Sequence, residues 1–384
     1  MAKKDYQISV AAHLLRYART SLGLTVEEAA AHLDIAQPDL EDLEAGNQQP
    51  RISQLRTMAK VYKRSLTFLL LADVPQEKPV PRDLRTVDSK KLGHFKPKTI
   101  LAVRKARALA EAQIDLLRDM DMPVTKFNMR GSLNEDAAEK GRTIRKELEL
   151  YHLRADGITD KEALEHTIEA VSGLGVLVYQ LSLTQDGLRG FSILDEEVPV
   201  IVMKRGGETA TARLFTLFHE LGHVMLGDGG MCDLHETNSQ AVEKWCNTFA
   251  AEALLPSSEV RQHEVVRKHQ ADALGLEWSK HELALIARDY HVSLEVVLRR
   301  LLTEGLTSKK FYEENHEKWK DKAFGRTKKG QTRDTVAGKV QERGRQFVRL
   351  IFSAIDRERI GPLQASQLLD VPMDRFAHAR QLVA

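Results

Sequence analysis

The 384-residue chain has little of what marks secreted, membrane or disulfide-stabilised proteins. Its only two cysteines, Cys232 and Cys246, cannot form a disulfide framework, and we expect them to be reduced thiols. No apolar run is long enough to span a bilayer, and the first residues lack the apolar core of a secretory signal. We therefore expect a cytoplasmic protein with no membrane partner.

An excess of charge of one sign is also absent, because 57 basic and 55 acidic residues leave a formal net charge of +2. This balance points to no partner class for the chain as a whole. Hydrophobic residues make up 42% and charged residues 29%, which is ordinary for a globular protein. The length allows two or three domains, and no sequence repeat is convincing.

An H-E-x-x-H sequence runs from His219 to His223 inside an apolar, helix-patterned stretch, residues 214 to 226. Residues four apart on a helix share one face, so the two histidines can offer imidazole nitrogens to one metal ion. Glu220 lies between them and can take a proton from water at that ion. A lone histidine is usually a surface or core residue, but three ionisable groups at this spacing indicate a catalytic metal site.

A second helical pattern, residues 240 to 255, contains the favoured third ligand, Glu243, twenty residues after His223. Two histidines and one glutamate are a known catalytic zinc set with an open fourth position. Asn247, one turn beyond Glu243, would hydrogen-bond a ligand. Zinc is the default metal, with manganese or iron as alternatives. We prefer Glu243 because helices hold geometry better than loops, but other candidates lie nearer in sequence: Asp228, Cys232, Asp233, His235 and Glu236.

Several short segments resemble the ImmA/IrrE metallopeptidases. They are Phe215 to His223, the pattern Glu243-x-x-Cys246-Asn247-x-Phe249-Ala250-Ala251, Leu254-Leu255-Pro256, and Arg189-Gly190-Phe191. The family pattern usually has alanine where this chain has Cys246. The resemblance covers residues 161 to 260 approximately.

This resemblance implies a gluzincin-like endopeptidase that cuts helix-turn-helix repressors and so switches on stress or mobile-element genes. Carried over by position, His219, His223 and Glu243 would be the metal ligands, and Glu220 the general base. The reaction would be hydrolysis of a peptide bond. A further donor to the developing oxyanion is expected, and its candidates are Tyr179, Arg189, His235 and His263.

Residues 8 to 72 indicate a compact helical domain that resembles XRE-type helix-turn-helix domains, with a capping box at Thr25 to Glu28. Its expected recognition helix carries carboxylates, which repel DNA phosphates: Asp39, Glu41, Asp42 and Glu44. Gln37 is a candidate base reader, and Arg51 and Arg56 are candidate phosphate contacts. DNA binding and protein docking both stay open for this domain.

The predicted fold class is mainly α with a small β-sheet (α+β). Strand signals occur at residues 176–181, 190–194 and 198–203, and an exposed sheet edge could take an extended peptide as an added strand. The predicted organisation is a helix-turn-helix domain (8–72), a proline-rich connector (73–97), a metallopeptidase domain with helical extensions (98–310), a basic linker (318–346) and a C-terminal helical region (347–384).

Two functions compete. The favoured one is a metal-dependent endopeptidase that regulates gene expression by cleaving a protein, with a helix-turn-helix repressor as the expected substrate. The alternative is a DNA-binding transcriptional regulator or antitoxin-like protein whose metal site is structural or sensory. An open coordination position beside a general base favours the first, because structural zinc sites normally have four protein ligands.

Overall fold

The computed structural model describes residues 5–76, 96–154, 157–184, 188–194, 196–227, 236–320 and 335–384. As predicted, the described chain is mainly helical with one small sheet. It divides into two compact units, Met1–Arg104 with Thr184–Gly187, and Lys105–Leu183 with Leu188–Ala384. Among the described residues, no helix has the length and apolar character needed to cross a membrane.

The first unit contains five short helices: α1 (Ala12–Thr20), α2 (Val26–Leu33), α3 (Gln37–Ala45), α4 (Ile52–Val61) and α5 (Leu66–Leu69). The predicted capping box starts α2, where Thr25 and Glu28 satisfy each other's backbone amides. Asp34 takes a left-handed conformation after α2, and Gly46 does the same after α3. These turns bring α1, α2 and α3 around a common apolar core with α4.

A buried ion pair links α1 to α3 in this unit. The guanidinium of Arg19 donates two hydrogen bonds, of 2.8 and 2.9 Å, to the carboxylate of Glu44. Glu44 is only 4% exposed. Our expectation that Glu44 adds to an acidic surface on the recognition helix is therefore wrong, because its charge is turned inward and neutralised.

The second unit holds the remaining helices; α6 begins among residues of the first unit and continues into the second. They are α6 (Pro97–Asp119), α7 (Ala137–Glu147), α8 (Asp160–Gly173), α9 (Ala210–Leu226), α10 (Glu236–Leu254), α11 (Ser257–Gln262), α12 (Glu264–Ala271), α13 (Lys280–Tyr290), α14 (Leu294–Thr303), α15 (Lys309–Lys320), α16 (Thr335–Arg343), α17 (Arg345–Asp356), α18 (Pro362–Leu369) and α19 (Phe376–Gln381). Two 3-10 helices occur at Leu150–Arg154 and Met373–Arg375.

The sheet has three strands, β1 (Leu177–Leu181), β2 (Gly190–Ile193) and β3 (Val200–Lys204), in the order β1-β3-β2. β1 runs parallel to β3, and β2 runs antiparallel to it. Almost every strand residue is buried, which explains the continuous apolar runs in the sequence. Helix α9 packs against β2 and β3, whereas α8 and α16 contact β1.

Helix α10 lies between α7 and α9. α7 approaches closely because Gly141 has no side chain; a Cβ there would lie 2.7 Å from the carbonyl oxygen of Phe249. A buried carboxylate, Glu252, contacts Arg142 at 3.1 Å and Arg300 at 2.8 Å. These contacts fix α10 in position relative to α7 and α14.

The C-terminal helices belong to the same compact unit as α9 and α10. α15 continues to Lys320 and α16 starts at Thr335, so both extend into the segment expected to be a linker. α17 buries Phe347 and Ile351, and Arg345 reaches Glu169 of α8 at 3.1 Å.

Candidate metal centre

Helix α9 carries both histidines of the H-E-x-x-H sequence. Thr209 caps its first turn by accepting a hydrogen bond from the amide of Ala212, and Gly227 follows its last residue. Leu217, Phe218 and Leu221 are completely buried and hold the helix in the core. The remaining face presents His219 and His223 towards α10.

Three donor atoms from two helices converge at this face. Nε2 of His219 lies 3.2 Å from Nε2 of His223. The carboxylate of Glu243 on α10 places one oxygen 3.3 Å from His219 Nε2 and the other 3.4 Å from His223 Nε2. Among the residues that the structure describes, only these three side chains form a metal-binding group of histidine, cysteine or acidic donors.

The spacing of the donors fits a tetrahedral zinc ion. Zinc bonds to nitrogen and carboxylate oxygen are about 2.0–2.2 Å long, so neighbouring corners of the tetrahedron are about 3.3 Å apart. The observed separations of 3.2, 3.3 and 3.4 Å, the last two measured to different oxygens of Glu243, are short enough for all three residues to hold one such ion. The two imidazoles are 18% and 16% exposed, so solvent reaches the cluster.

The electrostatics of the cluster favour positive charge at its centre. Burial opposes ionisation of Glu243, but its hydrogen bonds with His219 and His223 hold its pKa well below the usual range. Burial would lower the pKa of His223, but contacts with Cys246 and Glu243 raise it well above the ordinary value. A divalent cation would supply positive charge here in place of protons on these groups.

Two further residues of α10 lie beside the histidines. Oδ1 of Asn247 lies 3.2 Å from Nδ1 of His219, so the ring N–H donates to the amide oxygen and leaves Nε2 unprotonated towards the cluster. Cys246 is completely buried, and its Sγ would lie 3.1 Å from a Cβ on Gly222, the residue before His223. Cys246 and Asn247 follow Glu243 by three and four residues, so all three lie on one face of α10.

Glu220 faces the sheet rather than α10. It is only 8% exposed and hydrogen-bonds Ser192 of β2. Burial raises its pKa, although the neighbouring histidines partly oppose this effect. A carboxylate with a raised pKa is a stronger base, which suits proton transfer near neutral pH.

Gly190 of β2 makes room for Glu220. A Cβ at this position would lie 2.8 Å from Thr216 Cγ2 and 2.9 Å from the carbonyl oxygen of Val202. It would also lie 3.3 Å from Cγ of Glu220. The missing side chain therefore lets the edge strand lie directly against the turn of α9 that carries Glu220.

The structure narrows the candidates for a further oxyanion donor. Tyr179 is fully buried and donates its hydroxyl to Gln113 at 3.0 Å, and His263 is buried against Asp289. Both expectations are wrong, because the Tyr179 hydroxyl and the His263 imidazole are already engaged in contacts within the core. Arg189 is 61% exposed and immediately precedes Gly190. His235 and the alternative ligands Asp228, Cys232 and Asp233 lie outside the described residues, as does the side chain of Glu236.

The candidate DNA contacts belong to the first unit. Gln37 at the start of α3 donates to Glu41 at 2.8 Å. Arg51 and Arg56 are exposed. The carboxylate of Asp5 accepts hydrogen bonds from Ser53, and these bonds, together with the charges of Arg51 and Arg56, lower the pKa of Asp5. Along α3, Gln37, Asp39 and Glu41 are exposed, so the outer face of this helix remains acidic without Glu44.

Sequence reasoning missed Ser192 and gave no role to Cys246. Ser192 lies on a strand distant in sequence from α9, and no local pattern marks its contact with Glu220. The signal for Cys246 was its departure from the alanine that is usual in the pattern. Gly190 was noted only as part of the family resemblance.

Comparisons with known families agree with this arrangement. Residues 171–302 match a peptidase M78 model described as an IrrE N-terminal-like domain, and residues 11–67 match a helix-turn-helix domain. No curated protein matches the chain in a sequence search. The donor cluster lies inside the first match, and α1 to α4 lie inside the second. The chain therefore carries an N-terminal helix-turn-helix domain, which is a DNA-binding fold, followed by a domain similar to the IrrE N-terminal-like peptidases.

Proposed function

We propose that this protein is a metal-dependent endopeptidase that regulates gene expression by cleaving a protein substrate, a helix-turn-helix repressor, in a stress-response or mobile-element setting. One observation carries the proposal. His219, His223 and Glu243 present three donor atoms within 4.8 Å of one another, and the buried Glu220 lies on the same helix as the two histidines.

The metal ligands would be His219, His223 and Glu243, with zinc as the default and manganese or iron as alternatives. A divalent cation at this position would lower the pKa of water and polarise the scissile carbonyl. Glu220 would accept a proton from the attacking water and pass it to the leaving amine. Asn247 would keep the ring of His219 in the required tautomer.

The edge of the sheet supports binding of an extended peptide. β2 pairs with β3 on one side, and no described strand pairs with its other side. An extended substrate segment added there would run beside Gly190 and so lie close to Glu220. Arg189, exposed at the start of this strand, would donate to the oxygen of the carbonyl under attack.

The test is Glu220→Gln, which keeps the size of the side chain and removes its basicity. Wild type and variant would each be co-expressed with helix-turn-helix proteins encoded beside this gene, and products would be identified by mass spectrometry. We expect cleavage by the wild type and a loss of roughly 10²–10⁴-fold in the variant. Glu277→Gln, at an exposed position, is the matched control and should cleave normally. Unchanged turnover in Glu220→Gln would remove Glu220 as the base.

A second candidate function is supported by the helix-turn-helix match: a DNA-binding regulator or antitoxin-like protein whose metal site is structural or sensory. Three protein donors instead of four weigh against a structural site, and the acidic outer face of α3 weighs against contact with phosphates. A gel-shift titration of the full chain at low and moderate salt separates the two. Tight, sequence-selective binding that depends on Gln37, Arg51 or Arg56 would favour the regulator.

A further inference from the structure

Six charged side chains from four parts of the second unit meet on one face of α16, the helix that packs on β1. They are Lys105 of α6, Arg205 after β3, Asp370 after α18, and Lys339, Glu342 and Arg343 of α16 itself. The three on α16 are three and four residues apart, so they share that face. The cluster therefore joins the C-terminal helices to α6 and to the end of the sheet.

A single buried carboxylate, Glu342, holds two of the cations. One of its oxygens contacts Nζ of Lys105, and the other lies 3.3 Å from a guanidinium nitrogen of Arg205. The same nitrogen of Arg205 donates to the carbonyl oxygen of Gly338 at 2.9 Å. One negative charge therefore faces two positive charges at this end of the cluster.

Arg343 is the cation whose hydrogen bonds are least complete. Its side chain is only 4% exposed, and the carboxylate oxygen of Asp370 that pairs with it is 3.9 Å away and also contacts Lys339. Nε donates to the carbonyl oxygen of Leu368, but the buried NH1 has no hydrogen-bond partner within the described part of the chain. A buried guanidinium with an unused donor and a shared counter-charge is costly.

The cations also act on one another. Burial and the charges of Arg343, Lys339 and Arg205 lower the pKa of Lys105 to about 8, although Asp370 opposes this effect. The side chains of Lys105, Arg205 and Lys339 are 38%, 34% and 32% exposed, so ions from solvent can reach the cluster. An anion with two negative charges would balance the four cations against their two carboxylates.

We propose that this cluster binds a phosphate group, with contacts from Lys105, Arg205, Lys339 and Arg343. Phosphate carries up to two negative charges near neutral pH and offers several acceptor oxygens, which guanidinium and ammonium groups bind well. A bound phosphate would tie α16 and the end of α18 to α6 and β3. The site is separate from the metal centre, and the inference does not depend on the proposed peptidase reaction.

The first test measures binding of inorganic phosphate to the full-length protein by isothermal titration calorimetry, in chloride buffers of matched ionic strength. We expect Lys339→Gln to weaken binding about tenfold, because one charge-assisted contact is lost. Lys309→Gln, which removes an exposed lysine of α15, is the matched control and should bind like the wild type. Equal affinity in the wild type and Lys339→Gln would overturn the proposal.

Adenosine monophosphate and acetate extend this titration. Tighter binding of the nucleotide than of inorganic phosphate would identify a nucleotide as the source of the group, and weaker binding would identify free phosphate. Either result supports the site where Lys339→Gln reduces the binding. Acetate, with a single charge, should bind much more weakly, and acetate binding as tight as that of phosphate would contradict the assignment, as would a wild type that binds neither phosphate compound.

The second test uses Asp370→Asn, which removes a carboxylate that competes with phosphate for the same cations. Asparagine tolerates the left-handed conformation of this residue, whose φ is 52°. In chloride we expect a lower Tm than that of the wild type. Phosphate should raise the Tm of the variant more than that of the wild type, because it restores the lost counter-charge. A Tm deficit that is the same in both buffers would show a purely structural network and would sink the proposal.

Discussion

At the scale of single residues, the decisive feature beside Glu220, the proposed base, is that Gly190 has no side chain. Gly190 allows the edge strand β2 to pack on α9 at the turn that carries Glu220. Two of the atoms that a Cβ would meet are poorly able to move: one is a backbone oxygen of the neighbouring strand, and the other belongs to a β-branched threonine.

Gly190→Ala should therefore displace β2 from α9. We expect a loss of about 1–3 kcal/mol in the free energy of unfolding, typical of overpacking, together with a marked fall in cleavage. Urea denaturation and product analysis would measure the two effects. Gly173→Ala is the control, because nothing lies within 4 Å of a Cβ there, and it should leave cleavage unchanged. Normal activity and stability in Gly190→Ala would show that the strand tolerates the side chain.

At the scale of secondary-structure elements, α10 is held by a buried charge network. The carboxylate of Glu252 is 1% exposed and lies between Arg142 and Arg300. It also accepts hydrogen bonds from the amide and hydroxyl of Ser257. The network anchors the end of α10 that is distant from Glu243, so it restricts where Glu243 can lie.

Glu252→Gln should cost about 3–5 kcal/mol in the free energy of unfolding, because it leaves the buried guanidinium of Arg300 without its counter-charge. The matched control is Glu313→Gln. It breaks an exposed pair with Lys309 of 3.7 Å on α15 and should cost less than about 1 kcal/mol. Equal effects of the two substitutions in urea denaturation would contradict a role for burial.

A histidine joins α8 to the turn between α13 and α14. Nδ1 of His291 lies 2.8 Å from the carboxylate of Asp160, and Nε2 lies 2.8 Å from the carbonyl oxygen of Leu153. Both partners accept hydrogen bonds, so both ring nitrogens must donate and the ring is an imidazolium. The hydrogen bond with Asp160 raises the pKa of His291 above its ordinary value, and burial only partly opposes this.

His291 should therefore stabilise the fold more at low pH than at high pH. A histidine with a raised pKa makes its full contribution to the free energy of unfolding below the unfolded-state pKa of about 6.5. That contribution is lost as pH rises through the pKa of the folded state. We expect the difference in unfolding free energy between wild type and His291→Asn to be larger at about pH 6 than at about pH 9. Asparagine tolerates the left-handed conformation of this residue, whose φ is 52°. A difference independent of pH would argue against the imidazolium.

At the scale of the whole molecule, the C-terminal helices lie beyond the matched peptidase segment but share its compact unit. α16 packs on β1, and Phe347 at the start of α17 is 1% exposed. Arg345 and Arg349 both reach Glu169 of α8. These contacts make the C-terminal region part of the support for the sheet on the side opposite to β2.

Phe347→Ala should destabilise this entire unit by about 3–5 kcal/mol. Hydrogen exchange should then speed up in β1 as well as in α17, because both belong to one cooperative unit. Leu363→Ala is the control, since that leucine is 66% exposed, and it should change neither measurement. Faster exchange confined to residues 335–384 would show that the C-terminal helices unfold on their own.

Local signals in the sequence were enough to predict the features that depend on neighbours along the chain. The capping box at Thr25 is formed as expected, because it involves residues only three apart, and Thr159 and Ser279 begin capping boxes of the same kind. The pairing of His219 with His223 follows from helical periodicity in the same way. The three strands appear where apolar runs predicted them, with ends shifted by one or two residues.

Only the tertiary structure decided which distant faces meet. It turned Glu44 inward to Arg19, removed Tyr179 and His263 from the candidate site, and brought Cys246 and Ser192 to the residues that flank the cluster. The sequence alone determined the helix caps, the three strands and the placement of His219 and His223 one turn apart on α9. How those residues are oriented and shielded depends on packing between segments far apart in the chain, and no local pattern records that packing.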